Sequence, residues 1–243
     1  MGQPRGLVEV APFARRNYYR EAVKRLRKLA RKFHLAWGGA GEAQRRSYRI
    51  LCNSPVPEKP LAIASGLGAP GRNGLVITPE AGSRVIIAAM TLPFALEGDG
   101  PLSGKPFPLC GGCSPVAPCI RACPTGALRG DGSIARERCI QWYASGGDIQ
   151  AGSGRGVPPE VAAKWGRRLY GCTCCQDACP HNRGPLSGAA TEEGVLPALL
   201  DGGELLSLDD ESLKARFRGT ALGMAWLSAE TIRRSVRLAL RGY

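Results

Sequence analysis

The sequence predicts an α+β protein in three parts, and three observations carry that prediction. Apolar residues recur at three- and four-residue steps over 17–33 and again over 228–240, the signature of amphipathic helices. Runs rich in β-branched residues at 75–78 and 84–91 read as strands. Beyond residue 101 the composition shifts abruptly to cysteine, glycine and proline, and beyond 186 it returns to helical patterns. The parts are therefore 1–100, 101–186 and 187–243. A chain of 243 residues can bury a sizeable core, and its 33 glycines and 19 prolines point to many tight turns.

The first clear element is the helix over 17–33. Its apolar positions are Tyr19, Ala22, Val23, Leu26, Leu29, Ala30 and Phe33, and its other face carries Arg20, Lys24, Arg25, Arg27, Lys28, Arg31 and Lys32. Such a face is ordinarily a solvated one, but seven cations balanced only by Glu21 also suit phosphate contact. Trp37-Gly-Gly-Ala-Gly41 ends this helix. A short helix from Lys59 then feeds the glycine-rich stretch through Gly66, Gly68, Gly71, Arg72 and Asn73, where the backbone can approach an anion or cofactor closely. It matches neither a P-loop nor a dinucleotide fingerprint. The strands 75–78 and 84–91 are expected to pair as a hairpin about Pro79-Glu-Ala-Gly82, in a sheet buried on both faces.

Nine of the ten cysteines fall between 110 and 179. The leading block is Cys110-Gly-Gly-Cys113 with Cys119-Ile-Arg-Ala-Cys123-Pro124, and the trailing block is Cys172-Thr-Cys174-Cys175-Gln-Asp-Ala-Cys179-Pro180, with Cys139 between them. A C-x2-C loop wraps one metal centre, and a C-x3-C-P tail places two thiolates about a helical turn apart. In two-cluster ferredoxins the cysteine before that proline ligates the other cluster. Two [4Fe-4S] cubanes need eight thiolates, and nine are supplied. Disulfides are disfavoured by the vicinal pair Cys174-Cys175 and by the lack of a secretory signal. Zinc competes for C-x2-C pairs, but the repeated C-x3-C-P tail and the crowding of ligands favour iron. The opening departs from C-x2-C-x2-C, because Ser114-Pro-Val-Ala-Pro118 separates the second and third ligands.

The segment 145–156 reads as a flexible loop within the cysteine region. Ser207-Leu-Asp-Asp-Glu211 supplies a cap and first-turn acids for a helix carrying Leu213 and Phe217. A last helix starts at Ser228, with Ile232, Val236, Ala239 and Leu240 inward and Arg233, Arg234, Arg237 and Arg241 as a second basic strip. The net charge of +13 suits a polyanionic partner such as RNA. No apolar run is long enough to span a bilayer. A cytoplasmic location, where thiols stay reduced, is expected.

Several segments together resemble the epoxyqueuosine reductase family. They are Ala14-Arg-Arg-Asn-Tyr-Tyr, Lys59 to Asn73 with Thr78-Pro-Glu-Ala-Gly-Ser83, Cys123-Pro-Thr-Gly-Ala-Leu128, Arg138-Cys-Ile140, Tyr170-Gly-Cys172, Cys179-Pro-His-Asn182 and Phe217-Arg-Gly-Thr220. The resemblance implies an N-terminal α/β cofactor-binding domain, a ferredoxin-like double-cluster domain and C-terminal helices. It implies one cluster on Cys110, Cys113, Cys119 and Cys179 and the other on Cys123, Cys139, Cys172 and Cys175, leaving Cys174 spare and Cys52 apart. It further implies a cobalamin near the glycine loop, a tRNA partner on the basic helices, and an electron donor such as flavodoxin or ferredoxin. One departure bears on catalysis. The family carries an acidic proton donor where this chain has Asn53, and an amide cannot act as a general acid. Glu58 and Tyr48 are the candidate substitutes. Two further readings follow: an electron-transfer protein that has lost the family's catalysis, and a corrinoid reductase acting on a small molecule.

Overall fold

The computed structural model describes residues 6–36, 48–92, 97, 110, 112, 113, 117–153, 156–182 and 196–241. In chain order the regular elements begin with β1 (Leu7–Val10), α1 (Tyr18–Ala36), β2 (Ile50–Leu51), α2 (Glu58–Ala64), β3 (Ala69–Pro70), β4 (Val76–Ile77) and β5 (Ala89–Met90). Through the cysteine region they are α3 (Pro118–Arg121), α4 (Ile140–Ala144), α5 (Gly147–Gln150), α6 (Pro159–Ala162), β6 (Arg168–Tyr170) and α7 (Cys174–Asp177). The chain ends with β7 (Leu199–Asp201), α8 (Gly202–Ser207), α9 (Asp210–Arg216) and α10 (Ala229–Arg241). Helices with small sheets make this an α+β fold.

Two compact units result. One comprises Met1–Asn17, Arg72–Gly74 and Cys113–Tyr243; the other comprises Tyr18–Gly71 and Leu75–Gly112. In the first unit β1 is the central strand of a three-stranded sheet, parallel to β6 and antiparallel to β7. Val8 and Val10 point into the core while Glu9 faces outward, the alternation expected of a half-buried strand. Trp165, Phe217, Leu213, Leu222, Ile232 and Val236 fill the space beneath the sheet. Asp209 caps α9 by accepting the Ser212 N–H at 2.7 Å, and the Ser228 hydroxyl accepts the Thr231 N–H at 3.1 Å ahead of α10. Leu213, Phe217, Ile232, Val236 and Ala239 are buried as the periodicity predicts.

In the second unit α1 presents its cations to solvent, and β2 pairs with β5 while β3 pairs with β4. This overturns the expected hairpin. Residues 75–78 turn back onto Ala69–Pro70, and Ala89–Met90 pair with Ile50–Leu51. Only the single bridge Thr78↔Gly82 survives at the expected turn. Residues 84–90 are half-buried rather than covered on both faces, and of them only Ala89–Met90 are strand.

Two further expectations are corrected. The segment 145–156 contains α5, entered through Gly146 at φ 73°, and Asp148 on it is buried. Of the four arginines of α10, Arg241 is exposed with no ion pair among the described residues, and the other three each meet a carboxylate. Arg233 pairs with Asp210 at 2.5 Å, Arg234 with Asp148 at 2.6 Å and Arg237 with Glu230 at 2.8 Å. Helical periodicity could not foresee this, because two of those carboxylates lie on other elements.

Candidate functional site

Five of the thiols, Cys119, Cys123, Cys174, Cys175 and Cys179, lie on or just after two short helices with the same turn. Pro118 opens α3 at a position whose N–H would have no intrahelical partner, which places Cys119 in the first turn. The turn closes through the Ala122 N–H to the Pro118 carbonyl at 2.9 Å, and Cys123 follows immediately before Pro124. In α7 the same arrangement carries Cys175, with Cys179 before Pro180. The helices α3 and α7 pack directly on each other, so the two cysteine blocks meet. Ala117, Cys119 and Leu128 form a buried apolar kernel against which Cys113, Ile120, Cys123, Ile134 and Cys175 pack. Cys139, at the entrance to α4, joins this group electrostatically through Cys123 and Cys175.

Burial pushes the Cys139 thiol up, and burial reinforced by the neighbouring Cys123, Cys139 and Cys119 pushes Cys175 up to about 12. Thiols so crowded ionise only when a cation meets them, and a coordinated metal deprotonates a thiol outright. The surroundings are prepared for sulfur anions. The Ala127 N–H donates to Cys123 Sγ at 3.2 Å, and the backbone amides of Trp142 and Gln141 work against the effect of burial at Cys139. All ten cysteines are free thiols. Among the described residues no three His, Cys, Asp or Glu side chains converge on a single ion. Thiolates on a cubane each meet a different iron and need not converge, so this donor set fits clusters.

The Cys172 and Cys174 thiols are hydrogen-bonded to each other. The hydrogen bond that Cys172 gives Cys174, together with burial, pushes the Cys172 thiol up. The same bond and the Arg168 guanidinium hold Cys174 down to about 6. Arg168 Nη2 lies 3.0 Å from Cys174 Sγ, so this sulfur has a cationic partner of its own. Arg168 is in turn anchored on the carbonyl of Trp165 at 2.7 Å. Cys172 is placed by its N–H, which donates to Gln141 Oε1 of α4 at 3.2 Å.

The remaining predicted residues are distributed as follows. Cys179 is buried, and His181 is half-buried in the turn Pro180–Asn182. Cys110 falls in the other compact unit, and residues 114–116 of the insertion lie outside the described residues. Asn53 has φ 52°, a left-handed backbone that Asn tolerates better than most residues. Glu58 turns back on this loop and accepts the Ser54 N–H at 2.8 Å. Burial, then the Glu58 carboxylate, raises the Cys52 thiol. Tyr48 is half-buried, and no described contact joins it to Glu58 or Asn53. In the glycine stretch, Gly66 has φ 68° and the Gly71 N–H donates to the Leu75 carbonyl at 2.8 Å. A Cβ on Gly68 would lie 2.5 Å from the Ile77 carbonyl oxygen. Arg72–Gly74 belong to the unit that holds Cys113 and the cysteines after it, and Gly74 sits against Ile134.

Sequence reasoning missed Arg168, β1 and Gly171. The alternation Leu7-Val8-Glu9-Val10 could have signalled β1. Nothing in the spacing of Arg168 points to Cys174.

Fold and thiols together define an iron-sulfur protein of the double-cluster class, and the profile of the 4Fe-4S double cluster binding domain matches residues 109–182. The epoxyqueuosine reductase of Bacillus subtilis is 31% identical over 200 residues, which are 80% of this chain and 47% of that relative. The epoxyqueuosine reductase of Streptococcus thermophilus shares the fold with a TM-score of 0.76 at 23% identity, over 100% of this chain and 60% of that one. An epoxyqueuosine reductase solved with an epoxyqueuosine-modified tRNA stem loop aligns with a TM-score of 0.72 at 25% identity, over 100% of this chain and 61% of its own. The chain is a homologue of the epoxyqueuosine reductases and spans about half the length of the curated relatives it matches. Among the described residues no helix is long and apolar enough to cross a membrane.

Proposed function

We propose that this chain is an iron-sulfur oxidoreductase of the epoxyqueuosine reductase kind, passing electrons through two [4Fe-4S] clusters to a corrinoid in order to reduce a substrate borne on tRNA. The ligand sets in this reading are Cys110, Cys113, Cys119 and Cys179 for one cluster and Cys123, Cys139, Cys172 and Cys175 for the other. When bound, the clusters supply single electrons and the corrinoid supplies a low-valent cobalt able to reduce a carbon-oxygen bond. One observation carries the reading. Gly74 packs on Ile134, and Ile134 also packs on the thiol kernel, so the end of the glycine stretch belongs with the electron source.

The chain's own residues have definite tasks in it. The cofactor is assigned to the stretch through Gly66, Gly68, Gly71, Arg72 and Asn73, where the Gly66 and Gly71 N–H groups bond to the Ile63 and Leu75 carbonyls and Gly68 makes room for the Ile77 carbonyl, so the loop's own backbone holds its shape. Leu61 on α2 and Leu67 just after it are exposed apolar side chains beside that stretch, of the kind that suits contact with a macrocycle. Glu58 holds the loop at Asn53 through Ser54 and is the acid nearest that position by its described contacts. An electron donor such as flavodoxin or ferredoxin would feed the clusters, as the redox chemistry requires.

Asn53 favours a second reading, an electron-transfer protein without the catalysis. Reconstitution with iron, sulfide and cobalamin, followed by an assay on tRNA carrying the epoxide, separates the two. Turnover supports the enzyme. Bound clusters with no turnover and no corrinoid absorption support the electron carrier.

A further inference from the structure

The two basic helices expected from the sequence have different fates in the structure. On α10, Arg233 and Arg234 are taken up by Asp210 and Asp148, Arg237 meets Glu230 through a solvent-exposed pair at 2.8 Å, and only Arg241 is exposed with no ion pair among the described residues. On α1, Arg25, Arg27, Lys28, Arg31 and Lys32 are exposed and pair with no carboxylate among the described residues, and Lys24 meets Glu21 only through a solvent-exposed pair at 3.3 Å. At 100° per residue, the seven cations of α1 occupy an arc of roughly 160°. The 19-residue helix is about 28 Å long at 1.5 Å per residue. We infer that the exposed face of α1, and not α10, is the surface of this chain that docks the phosphate backbone of a structured RNA.

Charge complementarity argues for a polyanion, and the other face of α1 argues against a membrane. A helix that lies on a bilayer needs its apolar side free to enter the lipid. Here Tyr19, Ala22, Val23, Leu26, Ala30 and Phe33 on that side are half-buried within the unit and Leu29 alone of the apolar positions is exposed, too little apolar surface to enter lipid, while the opposite arc is almost wholly cationic. Long flexible lysines and arginines on one rigid rod can follow a phosphate ridge without reading bases, so the contact positions RNA and carries no sequence information. The inference rests on the proposed function for its choice of RNA, because it is a tRNA-borne substrate that such a rod would hold.

The test measures binding of the cluster-loaded full chain to a transcribed tRNA anticodon stem loop as salt is raised. The variant Arg27→Gln/Lys28→Gln/Arg31→Gln/Lys32→Gln removes four charges at little cost in helix propensity. Its log Kd against log salt should be shallower than the parent's by about 3, on a slope of about 0.7–0.9 per phosphate neutralised. Affinity at low salt should fall at least tenfold. Arg237→Gln on α10 should change the slope by less than about 1 on the same scale. Iron content and circular dichroism check that each protein is folded. Should the quadruple variant misfold, single Arg27→Gln and Lys28→Gln proteins carry the same test, each lowering the slope by about 0.7–0.9. Unchanged slopes in the α1 variants, with the parent still binding RNA, overturn the docking surface and leave the reductase reading intact. A parent chain that ignores RNA at low salt overturns both. Vesicles containing phosphatidylserine form a second arm, and α1-dependent binding to them as tight as binding to RNA overturns the choice of partner.

Discussion

Arg234 on α10 grips Asp148 on α5 at two points, Nη1 to Oδ2 at 2.6 Å and Nη2 to Oδ1 at 3.0 Å. The same Nη2 donates to the Tyr143 carbonyl of α4 at 2.7 Å, and the Tyr143 hydroxyl donates to the Glu137 carbonyl at 2.9 Å. Because α4 starts immediately after Cys139, the C-terminal helix fixes the segment that presents the Cys139 thiol. Asp148 keeps only 3% of its side-chain surface exposed, so loss of its partner would strand a buried charge.

Arg234→Met should therefore destabilise the protein by about 3–5 kcal/mol, the range for breaking one side of a buried pair. Urea unfolding measures this. The double variant Arg234→Met/Asp148→Leu should recover much of the loss, because no unpaired charge remains. Equal stability of the single variant and the parent would show that the pair is a surface contact in energetic terms.

The thiols make a prediction about metal. Replacing Cys175, which burial and its thiol neighbours bind into the kernel, should remove about half of an expected eight irons per chain. Cys174→Ser should leave the iron content unchanged, because the proposed ligand sets leave this sulfur spare and its described partner is Arg168. Anaerobic iron analysis with Mössbauer spectroscopy distinguishes loss of one cluster from partial loss of both. Loss of a cluster in Cys174→Ser would exchange its role with that of Cys172.

Glu58 is open to a clean substitution. Glu58→Gln keeps an oxygen to accept the Ser54 N–H and removes the ionisable proton. In the reductase reading, turnover of epoxide-bearing tRNA should fall by about 10²–10⁴, the usual worth of a general acid, while RNA binding stays as it was. Asn53→Asp, which tolerates the same left-handed backbone, should partly restore turnover in that background. Full activity in Glu58→Gln would remove it as the proton donor.

The sequence displayed what is local. Cysteine spacing, the 3.6-residue period of α1, α9 and α10, and the capping positions near Asp209 and Ser228 are all set within a few residues of themselves, and the structure has them. Strand pairing is not local. Val76 and Ala89 each had a plausible partner in the other's strand, yet the chain pairs them with Pro70 and Leu51, because nothing in a short β-branched run specifies its neighbour. Arg234 illustrates the other limit. Its helical position was right and its environment was not, since Asp148 lies 86 residues away on a segment whose glycines suggested a loop.

Gly171 shows how strictly the strand before Cys172 is built. Its φ is 102°, and a Cβ there would lie 2.2 Å from the Ala11 Cβ, beside the point where the Ala11 N–H bonds to the Tyr170 carbonyl at 3.0 Å. Gly171→Ala thus combines a forbidden backbone with overpacking, together about 3 kcal/mol or more. Gly152 has φ 65° with nothing within 4 Å of its Cβ position, so Gly152→Ala meets the backbone penalty alone, about 1–2 kcal/mol. The difference between the two in urea unfolding isolates the steric part. Because the forced shift is one bond from Cys172, Gly171→Ala should also lose iron faster in the presence of a chelator, whereas Gly152→Ala should not. Equal iron retention in both would mean that β1 can yield without moving the thiol.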